Sequence, residues 1–209
     1  MKILAVDVGL VHLALVSVEV PDNYLTRDEV LLCSELTTCN LIDIIELMAK
    51  CRDSNCELYH DKIICDYVTH LFKKYKDLFE SADKILIERQ PITGIVAVQE
   101  LIMKEYRHKS ELISPNAMLN FFDILQYEYK VRKVHTVKFA STYLGSFEEF
   151  VFNERKHDMA DALCLIYYHL SDLRKTHRVE QDRKMKEEQD KLKYGRVCLN
   201  IESYAYTGE

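Results

Sequence analysis

Four acidic residues sit where acids are costly. Asp7 follows Ile3, Leu4, Ala5 and Val6 in the run KILAVDVG, Glu88 lies near the end of ADKILIERQP, and Asp158 and Asp161 open the apolar stretch HDMADALCLIYYHL. A carboxylate closing an apolar strand is expensive to bury unpaired, so Asp7 and Glu88 belong at a strand end, in a cleft or on a cation. The i, i+3 spacing of Asp158 and Asp161 puts both on one face of a helix, near the positive end of its dipole. Each acid alone has an ordinary explanation: Asp7 as a turn former before Gly9, Glu88 as an ion-pair partner of Arg89, the two aspartates as first-turn acids. Brought to one point, four carboxylates repel one another unless hard cations fill the space between them. Two Mg²⁺ ions about 3.5 to 4 Å apart, one activating water and one steadying the leaving oxygen, are the chemistry such a cluster performs on a phosphodiester.

The elements that must position these acids can be read from periodicity. KILAVDV (2–8) and HLALVSV (12–18) are strand-like runs around Gly9, and VLLCSEL (30–36) is a third, which together predict an antiparallel meander. From Leu41 to Phe79 the apolar spacing turns helical, with a polar break over Arg52–Asn55, predicting two helices. ADKILIERQP (82–91) predicts a buried strand stopped by Pro91, Val96–Tyr106 a helix, and 110–114 a short strand. Ala117–Leu125 and Val137–Leu144 predict short helices on either side of the basic stretch YEYKVRK, and His157–Leu170 a long one. The expectation is an α/β fold: residues 1–171 as one RNase H-like domain, with a mixed five-stranded sheet (antiparallel meander plus parallel strands) flanked by helices. Residues 172–209, with nine Lys/Arg between 174 and 196, are expected to form a charged helical extension or tail.

The order of motifs carries a resemblance. V-D-V-G near the start, I-E-R-Q-P on a mid-chain strand, I-S-P after the next helix and H-D-M-A-D-A-L on a late helix resemble the RuvC-type Holliday junction resolvases, most closely their poxvirus-type branch, from Met1 to about Leu170. The resemblance implies a ribonuclease-H-like fold, a homodimer, and Mg²⁺-dependent paired nicking of four-way DNA junctions, with Mn²⁺ able to substitute. Carried over by position, the catalytic and metal-binding acids would be Asp7, Glu88, Asp158 and Asp161. The family also has a basic residue between the last strand and the acidic helix, for which Lys130, Arg132 and Lys133 are candidates; Lys133 best matches the spacing to the T-V-K-F-A segment. Its ammonium would steady developing phosphorane charge. The expected DNA contacts are Arg89, Arg107, Lys109, Lys130 and Arg132, with Tyr106, His108, Tyr127 and Tyr129 interleaved among them as on nucleic-acid surfaces. The helical stretch 41–80 is longer than the family's usual connection at that point.

Composition narrows the alternatives. The chain has 209 residues, 48% apolar and 30% charged, with 28 Lys/Arg against 34 Asp/Glu and a net charge of −6. The balance is uneven: residues 1–60 carry four basic and ten acidic residues, residues 104–138 seven and four, so nucleic acid is expected to bind late in the chain. No apolar run approaches the ~18 residues of a membrane span and no secretory leader is evident, so the expectation is an intracellular, cytoplasmic protein, at the site of viral DNA replication if the resemblance holds, with neither a membrane nor a small-molecule substrate as partner. Seven cysteines, an odd count without a CxxC pair, fit reduced thiols. The cluster Cys51, Cys56, His60 and Cys65 has zinc-ligand residue types, but on a continuous helix these positions point to different sides, and scattered thiols are the expectation. A sugar-kinase-like phosphotransferase, which also places D-x-G after its first strand, would need a second domain and more than the five glycines present. A catalytically idle RNase H-like binding module and a related nuclease acting on RNA remain the rival functions.

Overall fold

The computed structural model describes the chain except residues 27–33, 53–54, 59 and 205–209, with side chains described as far as Lys193. It divides into two units, Met1–Leu170 and Ser171–Glu209. In the first, strands β1 (Lys2–Asp7), β2 (Leu13–Glu19), β3 (Glu35–Ile42), β4 (Lys84–Glu88) and β5 (Ser110–Ile113) form one sheet in the order β3-β2-β1-β4-β5. β1, β2 and β3 pair antiparallel, and β4 and β5 join β1 parallel, giving the expected mixed sheet of ribonuclease-H-like architecture. Parallel strands covered on both faces read as unbroken apolar runs, and Ile3, Leu4, Ala5, Val6, Ile85, Leu86 and Ile87 are all fully buried.

Strand alternation divides these residues between two cores. Ile3, Ala5, Val16, Leu86 and Ile113 face α5 (Pro115–Phe121), α6 (Tyr129–Leu144), α7 (Glu148–Val151) and the start of α8 (Lys156–Tyr204). Leu4, Val6, Leu15, Ile85 and Ile87 face α1 (Ile44–Ala49), α2 (Ile64–Lys74), α3 (Lys76–Ser81) and α4 (Val96–Glu105). Two thiols lie in the first core: Cys39, whose Sγ is 3.4 Å from Met159 Sδ, and Cys164, fully buried. Burial pushes the Cys39 thiol up to about 12, with Glu149 adding to the rise, and burial also raises Cys164. Gly9 makes the β1–β2 connection possible, since a Cβ there would lie 2.5 Å from the His12 carbonyl oxygen.

Several boundaries differ from expectation. The third strand is Glu35–Ile42 rather than 30–36, of which 30–33 lie outside the described residues; Leu41 and Ile42, read as helical, end this strand. The chain turns at Asp43, whose carboxylate accepts from the amides of Ile45 and Glu46 as an N-cap. Among the described residues the stretch from Leu41 to Ser81 holds three helices, not two, and those between Ala49 and Ile64 lie in none of them. The helix expected at Val137–Leu144 starts earlier, because α6 begins at Tyr129 and carries the last five residues of the basic stretch YEYKVRK. In the second unit the helical assignment runs to Tyr204, and Arg183 pairs with Glu180 and Glu187 as on a solvated helix. Among the described residues no helix is long and apolar enough to cross a membrane.

Candidate active site

β1 and β4 are neighbours in parallel register, Val6 opposite Ile87, so the next residues, Asp7 and Glu88, end adjacent strands side by side. Each is two residues past one facing the α5–α8 layer, Ala5 and Leu86, so alternation turns both carboxylates toward that layer. α8 supplies Asp161 and α6 supplies Lys133 from the face that also carries buried Thr136, Ala140 and Leu144. Lys133 Nζ donates to Asp161 Oδ2 and lies 5.1 Å from the centre of the Tyr129 ring, one turn earlier. Asp7 is buried beside Glu88. Glu88 Oε2 also accepts from Gln90 Nε2 at 3.1 Å, and the buried Gln99 of α4 accepts from the Gln90 amide at 2.7 Å, fixing the chain as it leaves β4. A cavity of about 200 Å³ opens between these elements, lined by Glu88, Tyr129, Arg132, Lys133, Thr136 and Asp161 among others.

The electrostatics follow from this crowding. Burial holds the Asp7 carboxyl well above the usual carboxylate range, and the neighbouring Glu88 and Asp161 reinforce it against the opposing pull of Lys133. Burial works against the Lys133 charge, yet Asp161, then Asp7, hold the ammonium above an ordinary lysine. Among the described residues, Asp161 Oδ1 is buried with no hydrogen-bond partner. Crowded carboxylates, one of them held above its usual range, beside a buried carboxylate oxygen without a described partner, are a donor set short of positive charge, and hard oxygen ligands of this kind suit Mg²⁺. The residues present therefore fit a divalent cation.

Not every expected residue is drawn in. Asp158 is buried one turn before Asp161 but engaged elsewhere, its Oδ2 accepting from Arg155 Nε at 3.0 Å and its Oδ1 lying 3.3 Å from His157 Nε2. Burial lowers the His157 imidazole. Of the expected DNA-contacting residues, Arg132 lines the cavity, Arg89 is exposed just beyond Glu88, and Lys130 is exposed on the first turn of α6. Arg107 and Lys109 are at the other end of the sheet, where Ile85, at the start of β4, donates to the Lys109 carbonyl. The Lys109 ammonium donates to the carbonyls of Glu80 and Ala82, holding the end of α3, and Tyr106 is buried against Phe72 and Phe79. The strand direction carries these residues away from the acids. Sequence reasoning passed over Gln90, Gln99 and Arg155; the Q of I-E-R-Q-P was its one visible signal.

No protein-family model matches the chain, and no curated protein matches it in sequence. Solved structures do match in fold. The crystal structure of fowlpox virus resolvase with its substrate Holliday junction DNA aligns at 14% identity over 83% of this chain and 99% of that one, with a TM-score of 0.53. The fowlpox virus Holliday junction resolvase solved separately aligns at 13% identity over 82% and 99%, also at 0.53. Thermus thermophilus RuvC aligns at 13% identity over 81% and 93%, with a TM-score of 0.46. With its mixed sheet, its covering helices and nearly the whole of the viral structure matched, this chain has the ribonuclease-H-like fold of the fowlpox virus Holliday junction resolvase.

Proposed function

We propose that the chain is an endonuclease that resolves four-way DNA junctions by paired nicking, each site holding two Mg²⁺ ions and acting within a homodimer. The observation that carries this reading is the meeting of Asp7, Glu88, Asp161 and Lys133 at one end of the sheet, in a fold shared with a resolvase solved on its junction substrate. Asp7, Glu88 and Asp161 would hold the cations, with Asp158 joining them on leaving Arg155. Bound there, Mg²⁺ or Mn²⁺ supplies water activation and charge neutralisation at the scissile phosphate. A divalent cation held there would favour the ionised Asp7, its proton passing to solvent, with Asp7 and Glu88 both available as ligands. Lys133, kept cationic by Asp161, faces the cavity where phosphoryl oxygens gain charge. Arg132, Arg89 and Lys130 border that side and would position the DNA backbone. Two-fold junctions call for two equivalent sites, which an isologous dimer provides.

The test uses purified chain with labelled four-way junction, linear duplex and RNA–DNA hybrid. Symmetric nicks in the junction are expected with Mg²⁺ or Mn²⁺, and binding without efficient cutting with Ca²⁺. Cleavage in EDTA would overturn the metal reading, preference for the hybrid the DNA reading. A strict monomer by light scattering at micromolar concentration, with and without junction, would remove paired nicking.

A further inference from the structure

The segment between α1 and α2 gathers four soft ligand-type side chains remote in chemistry from the acids. Cys51, Cys56 and His60 come from the connection and His70 from α2, and one ligand atom from each lies within 4.8 Å of all the others. His60 Nε2 is 3.1 Å from His70 Nε2, and Cys56 Sγ is 3.6 Å from the same His70 nitrogen. A tetrahedral zinc ion with Zn–N of about 2.05 Å and Zn–S of about 2.3 Å requires N···N edges of about 3.3 Å and N···S edges of about 3.6 Å. The two edges present agree with this within a few tenths of an ångström.

The surroundings orient the ligands. His70 is buried, and its Nδ1 donates to the Asp66 carbonyl at 2.7 Å, which leaves the lone pair on Nε2, the nitrogen facing the cluster. That is the usual way a protein fixes the tautomer of a metal-bound imidazole. His60 and Lys62 both adopt φ of 57°, a left-handed conformation that a side-chain-bearing residue keeps only where its neighbours impose it. The Asp61 amide between them donates to Asp66 Oδ2 at 3.3 Å, tying the turn to α2. A hydrogen bond from His60 to His70 accounts for one edge of the cluster. It gives no reason for two thiols to converge on the same point.

We infer that Cys51, Cys56, His60 and His70 bind one zinc ion. Four protein ligands leave no open position, so the site is structural: it clips the connection that carries Cys51, Cys56 and His60 to α2, whose Tyr67, Val68 and Leu71 pack into the sheet core. Thiolates select zinc over Mg²⁺, so the ion is distinct from the nuclease cations and the inference is independent of the nuclease reading. The spacing, C-x₄-C-x₃-H-x₉-H, is broader than a compact finger, and the correction to the sequence reading is twofold. The described residues of 51–60 lie in no helix, and the fourth ligand is His70, not Cys65.

Full-length chain purified without chelator should carry about one zinc per chain by elemental mass spectrometry. In Cys56→Ala and in His70→Ala the content should fall at least tenfold. Co²⁺ substituted into wild-type chain should give intense visible bands and a thiolate charge-transfer band of a tetrahedral site, a readout that needs no variant to fold. The inference is overturned if zinc-supplemented wild type retains less than a tenth of an equivalent, if Co²⁺ gives only the weak bands of an octahedral ion, or if Cys51 and Cys56 emerge as a disulfide from reducing buffer.

Discussion

The two ligand clusters of this chain follow opposite plans. The acidic site draws on residues as distant as Asp7 and Asp161, from two strands and two helices, whereas the Cys/His cluster lies within 51–70. The acidic site can exist only when the whole sheet is built, and its carboxylates repel one another, so it holds unfavourable charge in the folded state that the proposed cations would relieve. The Cys/His cluster is local and closes on a short connection, so a metal bound there would stabilise what it encloses. One is a place for chemistry that weakens the metal-free fold; the other is a fastener.

The largest effect expected from this contrast is on catalysis. Asp7→Asn and Asp161→Asn should each lower single-turnover junction cleavage by about 10³-fold or more while leaving junction affinity unchanged or tighter, because a negative charge facing phosphate is gone. If either variant, folded by circular dichroism, loses junction binding, the acid is structural and the contrast fails.

Next in size is Lys133. Lys133→Ala should reduce the single-turnover rate at saturating enzyme by about 10²-fold with little change in affinity. Lys130→Ala should instead weaken binding across DNA shapes and lower the salt slope by about one unit. Wild-type rates in Lys133→Ala would move the catalytic role to Lys130.

The stored charge itself can be measured. Because the folded pKa of Asp7 is raised, the neutral carboxyl stabilises the fold at pH below the ordinary carboxylate range, and that stabilisation is lost as pH rises through the raised value. Asn has no proton to lose. Asp7→Asn should therefore raise the metal-free Tm at pH 7 by roughly a few degrees, and the gain should vanish near pH 4. A lower Tm at pH 7 would contradict the picture of a strained acidic site.

The smallest effect sharpens the other side. Cys65 is exposed and only 3.9 Å from Asp66 Oδ1, outside the four-residue cluster. Cys65→Ser should leave the zinc content unchanged and shift the Tm by less than about 2 °C, as surface changes do. Loss of zinc in this variant would redraw the ligand set.

The same contrast explains what could be read from the chain. Asp7, Glu88 and Asp161 stood out because each interrupts an apolar run, and the sheet that joins them follows from strand alternation. Lys133 was readable only through the order of motifs, since nothing local distinguishes it from Lys130 before α6 is seen to turn one toward Asp161 and leave the other in solvent. The pairing of Asp158 with Arg155 was hidden, as an i, i+3 acid pair does not say which member finds another partner. The convergence of Cys51, Cys56, His60 and His70 was hidden, because on a continuous helix the first three point to different sides. His70 belongs to α2, where a histidine looks like ordinary packing, and only the left-handed turn at His60 and Lys62 brings the connection back to it.

Cys39 and Cys164 give the fold a built-in clock. Only the thiolate reacts with alkylating reagents, and these two sulfurs combine raised pKa values with positions in one core, on β3 and α8. Their modification must wait for the β3 edge or the α8 layer to open, so the rate at which each acquires an alkyl label, read by peptide mass, reports the opening free energy of that element without any probe being introduced. Equal rates would mean that edge strand and helix open in one cooperative event; a faster Cys39 would mean that the sheet frays from β3 while the helix that carries Asp161 stays closed.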